Sequence, residues 1–119
     1  QFRFSPNYGK KLEQTVFIEL QRQEKEVYYH REKHECDFLI KEKDRITNAI
    51  QVCYELDSEN KEREINGLKE AMNKHKLKTG LLLTYDQEET IKVGTKKIEI
   101  VPVWMWLLTA SQRSGSSNS

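Results

Sequence analysis

Three polar side chains occupy positions where apolar ones would cost less: Glu19, Asp37 and Gln51. Glu19 lies seven residues after Leu12 and three after Val16, on the edge of an apolar helical stripe. Asp37 interrupts the apolar run "CDFLI". Gln51 stands inside "AIQVCYEL", with Cys53 two residues on and therefore on the same face of a strand. A buried carboxylate is costly unless it is paired, hydrogen-bonded or bound to a metal. Acids from a helix and two neighbouring strands, converging on one point, make a divalent-metal site. Each residue also has a plainer reading: a solvated helix-edge Glu, an Asp answering a neighbouring Arg or Lys, and a satisfied core amide.

Other constellations carry less. His30, His34 and Cys36 imitate metal ligands, but they lack a fourth partner and a standard zinc spacing. Cys53 as a nucleophile needs a His, and none lies near it in sequence. Lys74, His75, Lys76 and Lys78 gather where a helix ends, which favours its C-terminus or contacts a phosphate backbone. Trp104 and Trp106 read as core and interface residues.

The elements that must position these residues follow from periodicity. "SPNYGKKLEQTVFIELQRQ" reads as a helix, with Ser5 as cap, Pro6 in its first turn and Leu12, Val16 and Leu20 as its stripe. "KEVYYHRE", "HECDFLIKE" and "ITNAIQVCYEL" read as three strands forming an antiparallel meander. Alternation puts Cys36, Phe38 and Ile40 on one face, opposite Asp37 and Leu39. In the third strand it puts Ile46, Asn48, Ile50, Val52 and Tyr54 opposite Thr47, Ala49, Gln51 and Cys53. Were Asp37 and Gln51 to converge, Cys36 and Cys53 would lie on opposite faces and could not bridge.

"DSENKEREINGLKEAMNKHKL" reads as a second helix, capped by Asp57 or Ser58, with Ile65, Leu68 and Met72 buried. Glu59–Arg63 and Glu70–Lys74 are its four-apart pairs, and Gly67 marks a close packing contact. "TGLLLTY" reads as a strand covered on both faces, hence parallel. "KKIEIVPV" is a last strand, placed at an edge by Pro102, and "WMWLLTA" a short closing helix. The expected fold is α/β, in the order α-β-β-β-α-β-β-α, with helices on a mixed sheet.

That order carries a resemblance. A helix Glu, an Asp on the second strand and a triplet on the third resemble the PD-(D/E)XK restriction-endonuclease-like superfamily, of which archaeal Holliday-junction resolvases are a branch. "LEQTVFIEL", "KEVYYHREKHECDFLI", "AIQVCYEL" with "EREINGLKEA", and "IEIVPVWMWLL" are similar to the C-terminal domain of unknown function in prokaryotic AAA-type ATPases. The resemblance runs from about Leu12 to Leu108. It implies an α-β-β-β-α-β core and an ATPase domain preceding this segment. No G-x-x-x-x-G-K-[ST] occurs here. It also places Glu19 on the helix acid, Asp37 on the metal-binding aspartate and Gln51-Val52-Cys53 on the E-x-K triplet. In an active nuclease the acids hold the metal and the lysine helps organise the attacking water. An amide and a thiol at these positions imply a site that has lost or altered its chemistry.

A chain of 119 residues, 33% charged with a net charge of +1, is one domain without a dominant phosphate-neutralising surface. No apolar run approaches the roughly 18 residues that span a bilayer. Two cysteines without metal spacing fit free thiols in a reducing cytoplasm. The chain opens on Gln1 and reads as a piece of a longer protein. Residues 1–110 form the expected domain and the Ser/Gly-rich 111–119 a disordered tail. The expected role is DNA or partner binding without catalysis, set against a Mg²⁺- or Mn²⁺-dependent nuclease with an atypical triplet, or an oligomerisation module.

Overall fold

The computed structural model describes residues 6–116, with side chains over 7–110, so the Ser5 cap lies outside the described residues. Helix α1 spans Pro6–Arg22. Strands β1 (Glu26–Arg31), β2 (Glu35–Glu42) and β3 (Arg45–Val52) follow as an antiparallel meander. Helix α2, Lys61–Lys74, then crosses to β4, Thr79–Thr84, which pairs parallel to β3. Strands β5 (Glu89–Val93) and β6 (Lys96–Pro102) form a hairpin, and α3 spans Val103–Ser116. The chain is thus α/β, with one six-stranded mixed sheet in the order β1-β2-β3-β4-β6-β5.

Three expectations change at the C-terminal half. Residues 89–93 form a sixth strand that the sequence reading omitted. Because β5 takes the edge, β6 lies inside the sheet, parallel to β4. Pro102 does not forbid this. It is the last residue of β6, where its missing N–H interrupts no continuing ladder. The hairpin turns at Gly94, whose φ of 63° a glycine adopts without strain. Helix α3 also runs on past Ala110 to Ser116, into the expected tail; residues 117–119 lie outside the described residues.

The sheet separates two apolar layers. On one side α2 contributes Leu68, Ala71 and Met72, packed on Cys36, Leu39, Ala49, Leu82, Ile98 and Ile100. On the other, Leu12, Val16 and Leu20 of α1 and Val103 of α3 cover Phe38, Ile40, Ile50 and Leu83. The run "LLLT" in β4 feeds both layers: Leu82 and Leu83 are fully buried against opposite helices. Helix α2 sits unusually close to β2. A Cβ on Gly67 would stand 1.9 Å from the Glu35 carbonyl oxygen, so only glycine permits the approach.

Pairing inside α2 differs from the four-apart pattern. Glu70 turns to His30 and to the His34 N–H, Lys74 to Glu32, and Arg63 to adjacent Glu64. Asp57 acts one turn before the helix, where its Oδ1 accepts the N–H groups of Glu59 and Asn60.

Candidate functional site

Strict alternation along β2 breaks at Asp37. Between the pairs Tyr28–Leu39 and His30–Cys36, β2 holds one residue more than β1. This is a β-bulge, and it shifts the phase of the pleat. Cys36 and Leu39 therefore share the α2 layer, while Phe38 and Ile40 share the α1 layer. A second extra residue near Thr47 puts Ile46 with Ala49 under α2. The expected single face of Cys36, Phe38 and Ile40 is corrected accordingly. Both cysteines are free, as expected, but both pack on the α2 side rather than on opposite faces.

The bulge sets Asp37 against the end of β3. The β2–β3 register ends at Phe38–Ile50. Beyond it, side chains replace the ladder: Asp37 N–H donates to Gln51 Oε1 (2.9 Å), and Val52 N–H donates to Asp37 Oδ2 (2.8 Å). Gln51, 4% exposed, donates through Nε2 to the carbonyls of Glu35 (3.1 Å) and Glu64 (3.3 Å). One amide thus brackets β2, β3 and α2 together beside Gly67. The satisfied-amide reading of Gln51 describes its bonds.

Asp37, Gln51, Val52 and Cys53 line one cavity of about 730 Å³ at the C-terminal end of β3, together with Glu13 of α1 and Glu64 of α2. Burial pushes the Asp37 carboxyl up to about 7, against the donation from Val52, and the charges of Glu13, Glu64 and Glu35 push it further. Burial likewise raises Glu64. Cys53 donates to the Glu55 carbonyl and accepts from Asn60 Nδ2 at 3.5 Å. Burial pushes its thiol up to about 12, and that of Cys36 equally, so neither is a thiolate nucleophile at neutral pH. At the rim, Tyr8, Tyr54 and Tyr85 form a ladder with ring centroids 5.3 and 4.9 Å apart.

Glu19 does not line this cavity. Its carboxylate takes Arg22 Nη2 (2.7 Å) and Nε (3.0 Å) and Gln23 Nε2 (2.7 Å), and the Arg22 bond holds its pKa below the usual value. Six residues on a helix are about 9 Å of rise and about 120° of rotation, so Glu13 and Glu19 cannot serve one point. Glu13 is the α1 acid at the cavity. It also falls three and seven residues from Val16 and Leu20, so the stripe alone did not choose between the two. Glu64 stands in the first turn of α2, where an acid is common, and no sequence signal marked it.

The expected donor set of Glu19, Asp37 and Gln51 is not brought together. The Gln51 oxygen is taken by Asp37 N–H, one Asp37 oxygen is taken by Val52 N–H, Glu19 is elsewhere, and position 53 offers no ammonium. Among the described residues, the one trio of metal-type donors within 4.8 Å of one another is His30, Glu32 and Glu70, on the far side of β2. The sequence trio of His30, His34 and Cys36 does not form a ligand set: Cys36 is in the core, and His34 contributes its backbone N–H to Glu70. Lys74 pairs with Glu32 across the seam. Trp106 packs in the α1 layer, and Trp104 is 54% exposed.

The chain is similar to the uncharacterized protein MJ1544 of Methanocaldococcus jannaschii, 44% identical over 117 residues. The match covers 89% of this chain and 26% of that protein, so the chain spans about a quarter of its relative. No solved structure matches it. Among the described residues no helix is long and apolar enough to cross a membrane. A domain of unknown function, DUF4143, matches residues 8–106, and the chain belongs to that family.

Proposed function

We propose that this domain is a restriction-endonuclease-like, PD-(D/E)XK-type module that binds without cutting, carried at the C-terminal end of a larger AAA-type ATPase. The observation that carries the reading is the use of Gln51. An amide that joins three backbone segments holds the site together and leaves no charge for a phosphate-bound ion. Cys53, with its thiol pushed up to about 12, supplies neither the cation nor the base that hydrolysis needs. The relative's much greater length supports placement in a larger protein. Two free thiols fit a reducing cytoplasm.

What the cavity binds follows from its charge. Six acids line it (Glu13, Glu35, Asp37, Glu55, Asp57, Glu64) against Lys10, Lys33 and Arg63. That excess repels a phosphate backbone and suits a cationic group on a partner protein. Nucleic-acid binding is a second reading, for which the tyrosine ladder speaks. Tyr8 and Tyr85 are 42% and 53% exposed and present ring faces of the kind on which bases stack.

The test incubates the domain with linear, nicked and four-way DNA under Mg²⁺ and Mn²⁺, and measures DNA binding at 50 and 200 mM salt in parallel. No cleavage under Mg²⁺ and at most a trace under Mn²⁺ is expected. Robust Mg²⁺-dependent cleavage, abolished by Asp37→Ala, overturns the reading. Salt-sensitive DNA binding weakened by Tyr85→Ala selects the nucleic-acid reading over the partner-protein one.

A further inference from the structure

The geometry points to a zinc-type metal site in the seam between β1 and α2, separate from the nuclease-like cavity, with His30, Glu32 and Glu70 as its protein ligands. His30, next to last in β1, is 3% exposed, with Nε2 2.9 Å from Glu70 Oε1. Glu32 lies just past the end of β1, in the bend that leads to β2. Glu70 rises from α2 to meet both. One donor atom from each lies within 4.8 Å of the other two.

Tetrahedral ligands about 2.0–2.2 Å from zinc stand about 3.3–3.6 Å apart. Closing the remaining gap falls to Glu32, which is exposed and free to change rotamer. Lys74 now pairs with Glu32. That pair is solvent-exposed on both sides, the class of ion pair a divalent ion displaces readily. One imidazole with two carboxylates is a borderline donor set that suits zinc, cobalt or nickel over magnesium or calcium.

A core histidine satisfied by hydrogen bonding needs only Glu70. It leaves Glu32, which pairs with Lys74 at the surface, as a third donor within 4.8 Å. Glu70 Oε1 also accepts the His34 N–H at 2.9 Å, an outer hydrogen bond of the kind that orients a metal-binding carboxylate. His75 lines the same cavity as His30, Glu32 and Lys74. On binding, the ion takes the place of the proton shared between His30 Nε2 and Glu70, which moves to Nδ1 or to solvent. The consequence is mechanical. Lys33, His34 and Glu35, the turn after Glu32, line the nuclease-like cavity, so an ion at this seam clips edge strand β1 to α2 and holds that wall of the cavity in place.

The test titrates the metal-free domain with Co²⁺, followed by Zn²⁺, by visible absorption and thermal melting. Expected are a saturable 1:1 Co²⁺ signal, its displacement by Zn²⁺, and a higher melting temperature with zinc. Glu32→Gln and Glu70→Gln should each weaken binding at least tenfold. Glu32→Gln touches only an exposed side chain, so its effect is not a folding failure, and far-UV circular dichroism checks Glu70→Gln. Glu88→Gln, at an exposed acid outside the seam, should leave binding unchanged. Absence of saturable binding, binding indifferent to both glutamate variants, or binding lost in Glu88→Gln each overturns the proposal.

Discussion

Asp37→Asn should make this protein more stable at pH 8 and leave it nearly unchanged at pH 4. The Asp37 carboxyl rises from its usual 3.8 to about 7, first through burial and then through the charges of Glu13, Glu64 and Glu35. A folded-state pKa above the unfolded one means that the folded chain holds the proton more tightly. Stability is therefore full below pH 4, falls as the pH rises from 4 to 7, and is level above 7. Three units at about 1.4 kcal/mol each set a ceiling of about 4 kcal/mol. The residue borders an open cavity, and water screening there lowers the expected gain to about 2 kcal/mol. Asparagine keeps the acceptor for Val52 N–H, so the change removes charge and little else. Urea unfolding, followed by Trp104 and Trp106 fluorescence at pH 4.5, 6 and 8, measures the gap. A variant less stable than the parent at pH 8, or a gap that does not widen with pH, refutes the account of Asp37 as a buried acid that is costly to ionise.

Two further outcomes concern the bracket around Gln51. Gly67→Ala should lose about 2–4 kcal/mol in urea unfolding, despite alanine's helix preference of about 1 kcal/mol, because the new Cβ meets the Glu35 backbone; Gly9→Ala, also within a helix but with open space around it, should instead gain up to about 1 kcal/mol. Gln51→Glu with Cys53→Lys, which restores the nuclease triplet on paper, should destabilise by about 2–4 kcal/mol and yield no cleavage, since a carboxylate would face the carbonyls of Glu35 and Glu64 where the amide now donates.

How far the sequence reaches can be argued from these same residues. The meander, the parallel β3–β4 pair and the stripes of α1 and α2 all follow from periodicity over long segments, where one residue out of phase changes little. β5 was missed because "ETIKV" is short and polar, although the Gly-Thr turn after it and the alternation before it carried a hairpin signal. The site is harder, because it depends on where the period fails. A bulge inserts one residue without any local mark, and every face assignment beyond it reverses. Cys36 lost its expected partners Phe38 and Ile40 in this way, and Asp37 gained Val52. The helix acid fails for a related reason: Glu13 and Glu19 both border the stripe, and only the height of the β3 end along α1 distinguishes them. Gln51 and Asp37 were identified as anomalies by polarity alone. What they bond to depends on where the β2–β3 ladder stops, at Phe38–Ile50, and that is a property of two strands together rather than of either sequence.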